Sequence, residues 1–225
     1  CDGIAAEYAD DCRLFRFSHS FENDILAAAR NMAKRYKCHA GHNQMLEQYA
    51  LSIFDTARKF HGMGASERLL LQIAVTLHGC GKFISIRNSN ESSYNLIMST
   101  EIIGLSHLER EIIANAVRYN IRDFDYDTIQ LETQIGEDGS GNLNRSAITI
   151  LIAKLTAILR LANSMDKTHK SKLADCRMAI REGELVITTG YTGDLALERA
   201  SFEQKADFFE EIFGIRPVLK QKRRA

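Results

Sequence analysis

Apolar residues recur every three or four positions through most of the chain, the period of a helix that buries one face. Ile25, Leu26, Ala29 and Met32 predict a first helix over 20–37, with Ser18 or Ser20 as cap and Gly41 as the break. Leu46, Tyr49, Ala50, Ile53, Phe54, Ala57 and Phe60 keep that spacing from His42 to Phe60, where Gly62 and Gly64 end it. Ser66 can cap the next helix, whose Leu70, Ile73, Ala74 and Leu77 point one way up to Gly79 and Gly81. After a polar loop with Asn88, Ser89 and Asn90 comes a short helix around Tyr94, Leu96 and Ile97. Ser106-His107-Leu108-Glu109 reads as a capping box, in which the serine oxygen takes an amide proton and the glutamate reaches back. Ile112, Ile113, Ala116 and Val117 follow it. Residues 121–145, with Gly136, Gly139 and Gly141, predict a long surface loop. The strongest stripe comes next: Ile148, Leu151, Ile152, Leu155, Ile158, Leu159 and Ala162.

Beyond about residue 171 the period changes to two. Cys176–Ile180 and Leu185–Thr189 alternate around Glu182-Gly183, which predicts a hairpin. Ser201-Phe202-Glu203-Gln204 is a second capping-box pattern, opening a helix that stops at Gly214, and Arg216–Lys220 predicts a third strand. The fold expected is mainly α, a helical body with a small C-terminal α/β appendage of hairpin, helix and strand.

Composition narrows the function classes. The 225 residues carry 29 Lys+Arg against 29 Asp+Glu, so whole-molecule attraction of nucleic acid has no basis and only local patches matter. Five scattered cysteines form no C-x-x-C pair, which sets aside zinc-ribbon and thioredoxin-like chemistry and suits free thiols in a reducing cytoplasm. No run reaches the roughly 18 continuous apolar residues of a membrane span. The opening Cys1-Asp2-Gly3-Ile4 lacks the pattern of a signal peptide and reads as a cut inside a longer polypeptide.

Three ligand-type residues fall on the apolar stripes. His42 lies four before Leu46, His78 four after Ala74, and Asp166 four after Ala162. An unpaired buried polar group costs about 1–3 kcal/mol, so these three are expected to meet partners, among them one another.

Their order, His, His, Asp, resembles the HD metal-dependent phosphohydrolases, whose pattern is a His, an adjacent His-Asp pair and a distant Asp. Leu77-His78-Gly79-Cys80-Gly81-Lys82 is similar to that superfamily's L-H-D-I-G-K, with Gly79 in place of the aspartate. The likeness narrows to the exopolyphosphatase and guanosine pentaphosphate phosphohydrolase family. Asp2–Tyr8 resembles the segment leaving its catalytic half, and Arg13–Phe17 the linker that follows. Leu51-Ser52-Ile53-Phe54-Asp55, Ser92–Ile97, Val117-Arg118-Tyr119-Asn120 and Leu161–Asp166 resemble runs of its C-terminal HD-like domain. Glu91 and Asn120 stand where that family has histidines.

The resemblance implies a linker over 1–19, a degenerate HD-like helical bundle over 20–170 and an α/β tail over 171–225. It implies a regulatory, polyphosphate-binding or dimerising domain of a phosphohydrolase whose hydrolytic site lies in an N-terminal region. The alternative is a metal-dependent phosphohydrolase with an atypical site. His42, His78 and Asp166 would be a vestigial metal site. No cofactor is expected, a weakly held divalent metal being the alternative. Arg30, Lys34, Arg35, Lys37, Lys167 and Lys170 are candidates for binding polyphosphate or guanosine polyphosphate, as is the basic Lys220, Lys222, Arg223 and Arg224 terminus. The expected setting is a cytoplasmic homodimer without membrane or specific nucleic-acid contacts. Cys80 is either a core thiol or a nucleophile.

Overall fold

The computed structural model describes residues 17–129, 131–132 and 145–222. The body comprises α1 (Phe17–Arg35), α2 (Ala40–Thr56), α3 (Arg58–His61), α4 (Ala65–Leu77), a 3-10 turn (Cys80–Phe83), α5 (Ser89–Ser99), α6 (His107–Arg118) and α7 (Arg145–Met165). The appendage comprises β1 (Arg177–Arg181), β2 (Glu184–Thr189), α8 (Ala196–Phe213) and β3 (Arg216–Gln221). The chain is thus mainly α with a small α/β appendage, as its periodicity predicts. Residues 1–16 of the expected linker, and 130 and 133–144 of the expected loop, lie outside the described residues.

Several boundaries differ from the sequence reading, each for a local reason. α1 already runs through Ser18 and Ser20. Gly41 lies inside α2, whose first turn is capped by the His39 ring accepting the His42 N–H. The single helix expected from His42 to Phe60 is two, because the chain turns at Ala57. The His61 ring pins this turn: Nε2 donates to the Phe54 carbonyl at 2.7 Å, and Nδ1 accepts from Met63 N–H. α4 starts from Gly64, whose N–H donates to Glu67, rather than from Ser66. The Ser106–Glu109 capping box forms as read. The Ser201–Gln204 pattern does not start a helix, because α8 begins earlier, where Asp194 accepts the Ala196 N–H.

α7 is the central helix and packs against α2, α6 and α8. Ile148, Ile152, Leu155, Ile158, Leu159 and Ala162 are buried along it. Its length and mean hydropathy of 1.5 would let it cross a membrane, but 72% of that apolar window is buried in the protein.

The sheet order is β1-β2-β3. β1 and β2 pair antiparallel through a two-residue turn, Glu182-Gly183, in which both residues have positive φ, as such hairpins require. β3 pairs parallel to β2, so α8 serves as the crossover. That helix buries Phe202, Ala206, Phe209 and Phe213, and the body and appendage share one apolar core. A polar tie strengthens the join: buried Glu198 accepts from Thr168 and, at 3.0 Å, from Lys172. Burial raises the Glu198 pKa, and those two hydrogen bonds outweigh it, leaving the carboxyl below its ordinary value.

Candidate functional site

The three ligand-type residues meet at one end of the body. His42 stands in the first turn of α2, His78 at the C-cap of α4, and Asp166 is the first residue beyond α7. All are buried, with exposures of 3%, 9% and 1%. His42 Nδ1 donates to Asp166 Oδ2 at 2.7 Å. Asp166 Oδ1 accepts the Ser171 N–H at 2.8 Å, so both oxygens of the carboxylate are engaged. His78 Nδ1 donates to the Val75 carbonyl at 2.7 Å, and its ring centroid lies 5.4 Å from that of His42.

Two further histidines complete the cluster. His169 stacks on His42, with centroids 3.8 Å apart and planes at 7°, and meets the His39 ring edge-on at 5.7 Å. His169 and Ser171 both have left-handed φ, 54° and 51°. Non-glycine residues take that region at a cost of about 1–2 kcal/mol each. The strain is maintained because the loop must bend back to bring the His169 ring onto His42 and the Ser171 amide onto Asp166. The sequence reading missed both residues. Both histidines are exposed and lie outside the helices and strands, where no apolar period singles out a polar residue.

Burial holds the His78 ring neutral, pushing its pKa down to about 3. His61 and His169 are also pushed down, again chiefly by burial. Below about pH 6.5 the unfolded chain takes up protons that these folded rings refuse. Stability is therefore full above that pH and is lost as pH falls. The expected loss from His78 alone is about 2 kcal/mol between pH 7.5 and pH 5. Urea unfolding at the two pH values measures it, and His78→Gln should remove that share of the dependence, leaving the part due to His61 and His169. A wild-type midpoint that does not move would contradict this account.

The fold resemblance raises the question of a metal ion here. With Nδ1–H committed to Asp166, His42 keeps a buried Nε2 lone pair with no partner. Against this stands the rest of the donor set. Each Asp166 oxygen already accepts one hydrogen bond, and position 79 supplies no side chain. Among the described residues, the only His, Cys, Asp or Glu trio with ligand atoms within 4.8 Å of one another is His107, Glu111 and Glu132. The residues at the helix ends therefore do not fit a hydrolytic ion, which needs several anionic or imidazole ligands to acidify its water. Cys80 does not supply a nucleophile either: burial pushes its thiol up to about 11 and keeps it protonated.

The basic candidates divide. Arg30 pairs with Glu47 at 3.2 Å, and with Lys34 it lines a cavity of about 820 Å³ between α1 and α2. Arg35 lies 6.0 Å from the Tyr36 ring centre, and Lys37 5.9 Å from that of Phe83. Lys167 and Lys170 are exposed on the loop after α7. The charge of Lys82, the last residue of the Leu77–Lys82 run, is felt by His78, His169 and Cys38.

A family model described as Ppx/GppA phosphatase, domain III, matches residues 26–206. No curated protein matches the chain.

Proposed function

The chain belongs to the Ppx/GppA phosphatase family as its domain III, and from that premise we propose that it is a non-catalytic module that binds the phosphate polyanion for a hydrolytic site elsewhere in its parent protein. The observation that carries this reading is the state of Asp166. A carboxylate that accepts from His42 Nδ1 and Ser171 N–H holds three segments together, and among the described residues it belongs to no trio of ligand atoms within 4.8 Å of one another. The helix ends then act as a structural knot, and the chemistry available to the module is electrostatic.

Phosphate chains are recognised by cations, and such binding weakens steeply with salt as counterions are released. The purified protein is expected to bind long-chain polyphosphate at low salt, to lose most of that affinity at high salt, and to hydrolyse neither polyphosphate nor nucleotide phosphates with added manganese. Filter binding at two ionic strengths and a phosphate-release assay test this. Turnover that disappears in His78→Ala would overturn the non-catalytic reading. Affinity that is absent, or indifferent to salt, would overturn the polyanion reading.

A further inference from the structure

His107 and Glu111 stand four residues apart on α6, so their side chains lie one turn apart on the same face. The Ser106 cap fixes where that helix starts, and with it the placing of both residues. His107 Nε2 lies 3.7 Å from Glu111 Oε1. The third member comes from beyond the helix: Glu132 Oε2 lies 3.9 Å from the same nitrogen. One ligand atom from each residue falls within 4.8 Å of the other two. Glu132 is held there by its backbone, whose N–H donates to Glu111 Oε1. Glu111 is buried, His107 half-exposed and Glu132 exposed.

The spacing is that of ligands around an ion. A charge-assisted hydrogen bond would draw Nε2 to about 2.7–2.9 Å from one oxygen. Here it stands between two oxygens at separations too long for a hydrogen bond to either. Two carboxylates and an imidazole, with no thiol among them, are a donor set for a divalent transition ion such as zinc. Zinc holds such atoms at about 2.1 Å in a tetrahedron, whose edges are then about 3.4 Å. The two measured edges are wider by a few tenths of an ångström, a gap that small rotations of the His107 and Glu132 side chains close. Arg110 lies 3.3 Å from His107 Nδ1 and also donates to the Thr100 carbonyl at 3.2 Å. Ligation through Nε2 puts the ring proton on Nδ1, and Arg110 then keeps that carbonyl as its partner. His107 and Glu132 also line a cavity of about 580 Å³ with Ser92, Asn95 and Ser99 of α5. Three protein ligands leave a fourth position, and the cavity has the room and the polar groups to place a water there.

We propose that His107, Glu111 and Glu132 form a site for one divalent transition-metal ion of the zinc class, which clips the chain at Glu132 back onto the first turns of α6. Such a clip operates whether or not the module binds phosphate, and it shares no residue with the knot at His42 and Asp166.

The test titrates Zn²⁺ calorimetrically into the full chain after chelator treatment. One ion per chain is expected, and His107→Gln and Glu132→Gln should each weaken binding by about 100-fold or more, beyond the usual loss of an outer-shell partner. Glu132→Gln keeps the backbone N–H that bonds Glu111, so its loss reports the carboxylate alone. His169→Gln, in the other histidine cluster, should bind as the wild type does. Zn²⁺ should also raise the urea midpoint of the wild type and leave those of the two ligand variants where they stand in chelator, which shows in the same experiment that both fold. No binding by the wild type would overturn the proposal. So would wild-type affinity in both His107→Gln and Glu132→Gln, or a loss confined to His169→Gln.

Discussion

Gly81→Ala is expected to destabilise the protein by about 3 kcal/mol or to prevent folding, whereas Gly79→Ala, two residues away, should stay within about 1 kcal/mol of wild type. A Cβ on Gly81 would lie well inside 3.0 Å of the Ser89 carbonyl oxygen and of the Ser93 amide and hydroxyl. Two of those atoms are backbone, so no rotamer change relieves the overlap. Gly81 is also tied there: its N–H donates to Ser93 Oγ at 2.9 Å, fastening the turn after His78 to α5. At Gly79 the nearest atom to an added Cβ is the sulfur of Cys38, at 3.9 Å, and the backbone angles of −97° and −4° suit any residue. Chemical denaturation of the two alanine variants measures the contrast, and equal losses would show that the turn is looser than its contacts imply. The comparison bears on function, because it makes the missing acid at position 79 a matter of chemistry. The backbone there has room for a side chain.

Asp166→Ala should cost about 3 kcal/mol, roughly 6–12 °C in Tm for a chain of this size. The substitution strands the His42 Nδ1–H and the Ser171 N–H, both of which the carboxylate now accepts. It also removes the anion that keeps the left-handed turn at His169 and Ser171 folded back. Asp166→Asn retains one acceptor oxygen and should lose about half as much. A loss below about 1 kcal/mol for the alanine variant would show that Asp166 is not the knot described above. A small loss in stability joined to a large loss in a phosphatase activity would recast it as a ligand.

The parts of this arrangement visible in the sequence are those governed by local pattern. His42, His78 and Asp166 could be picked out because each interrupts an apolar stripe, and burial of a polar group obliges it to find partners. His39 and His169 are exposed outside the helices and strands and carry no such mark, although they complete the cluster. The Ser106 capping box was legible because its partners are three residues apart. The same signature at Ser201 misled, since the helix there is already under way from Ala196. β3 could be read as a strand, but its parallel pairing with β2 depends on the path of α8 across the sheet. Arg160 was indistinguishable from a surface arginine, because what buries it arrives from α6 and α8. Gly79 and Gly81 look alike on paper and differ only in what α5 brings against them.

The crossover helix has a consequence for how the protein is made. The flank of α7 covered by α8 is synthesised well before its cover, and stays bare until Phe202, Phe209 and Phe213 have left the ribosome. Nascent chains halted ahead of Ala196 would present that greasy strip to the cell, as bait for chaperones or for one another. Completion of this domain therefore waits on the synthesis of α8, and chains ending ahead of it would carry an uncovered apolar flank on α7.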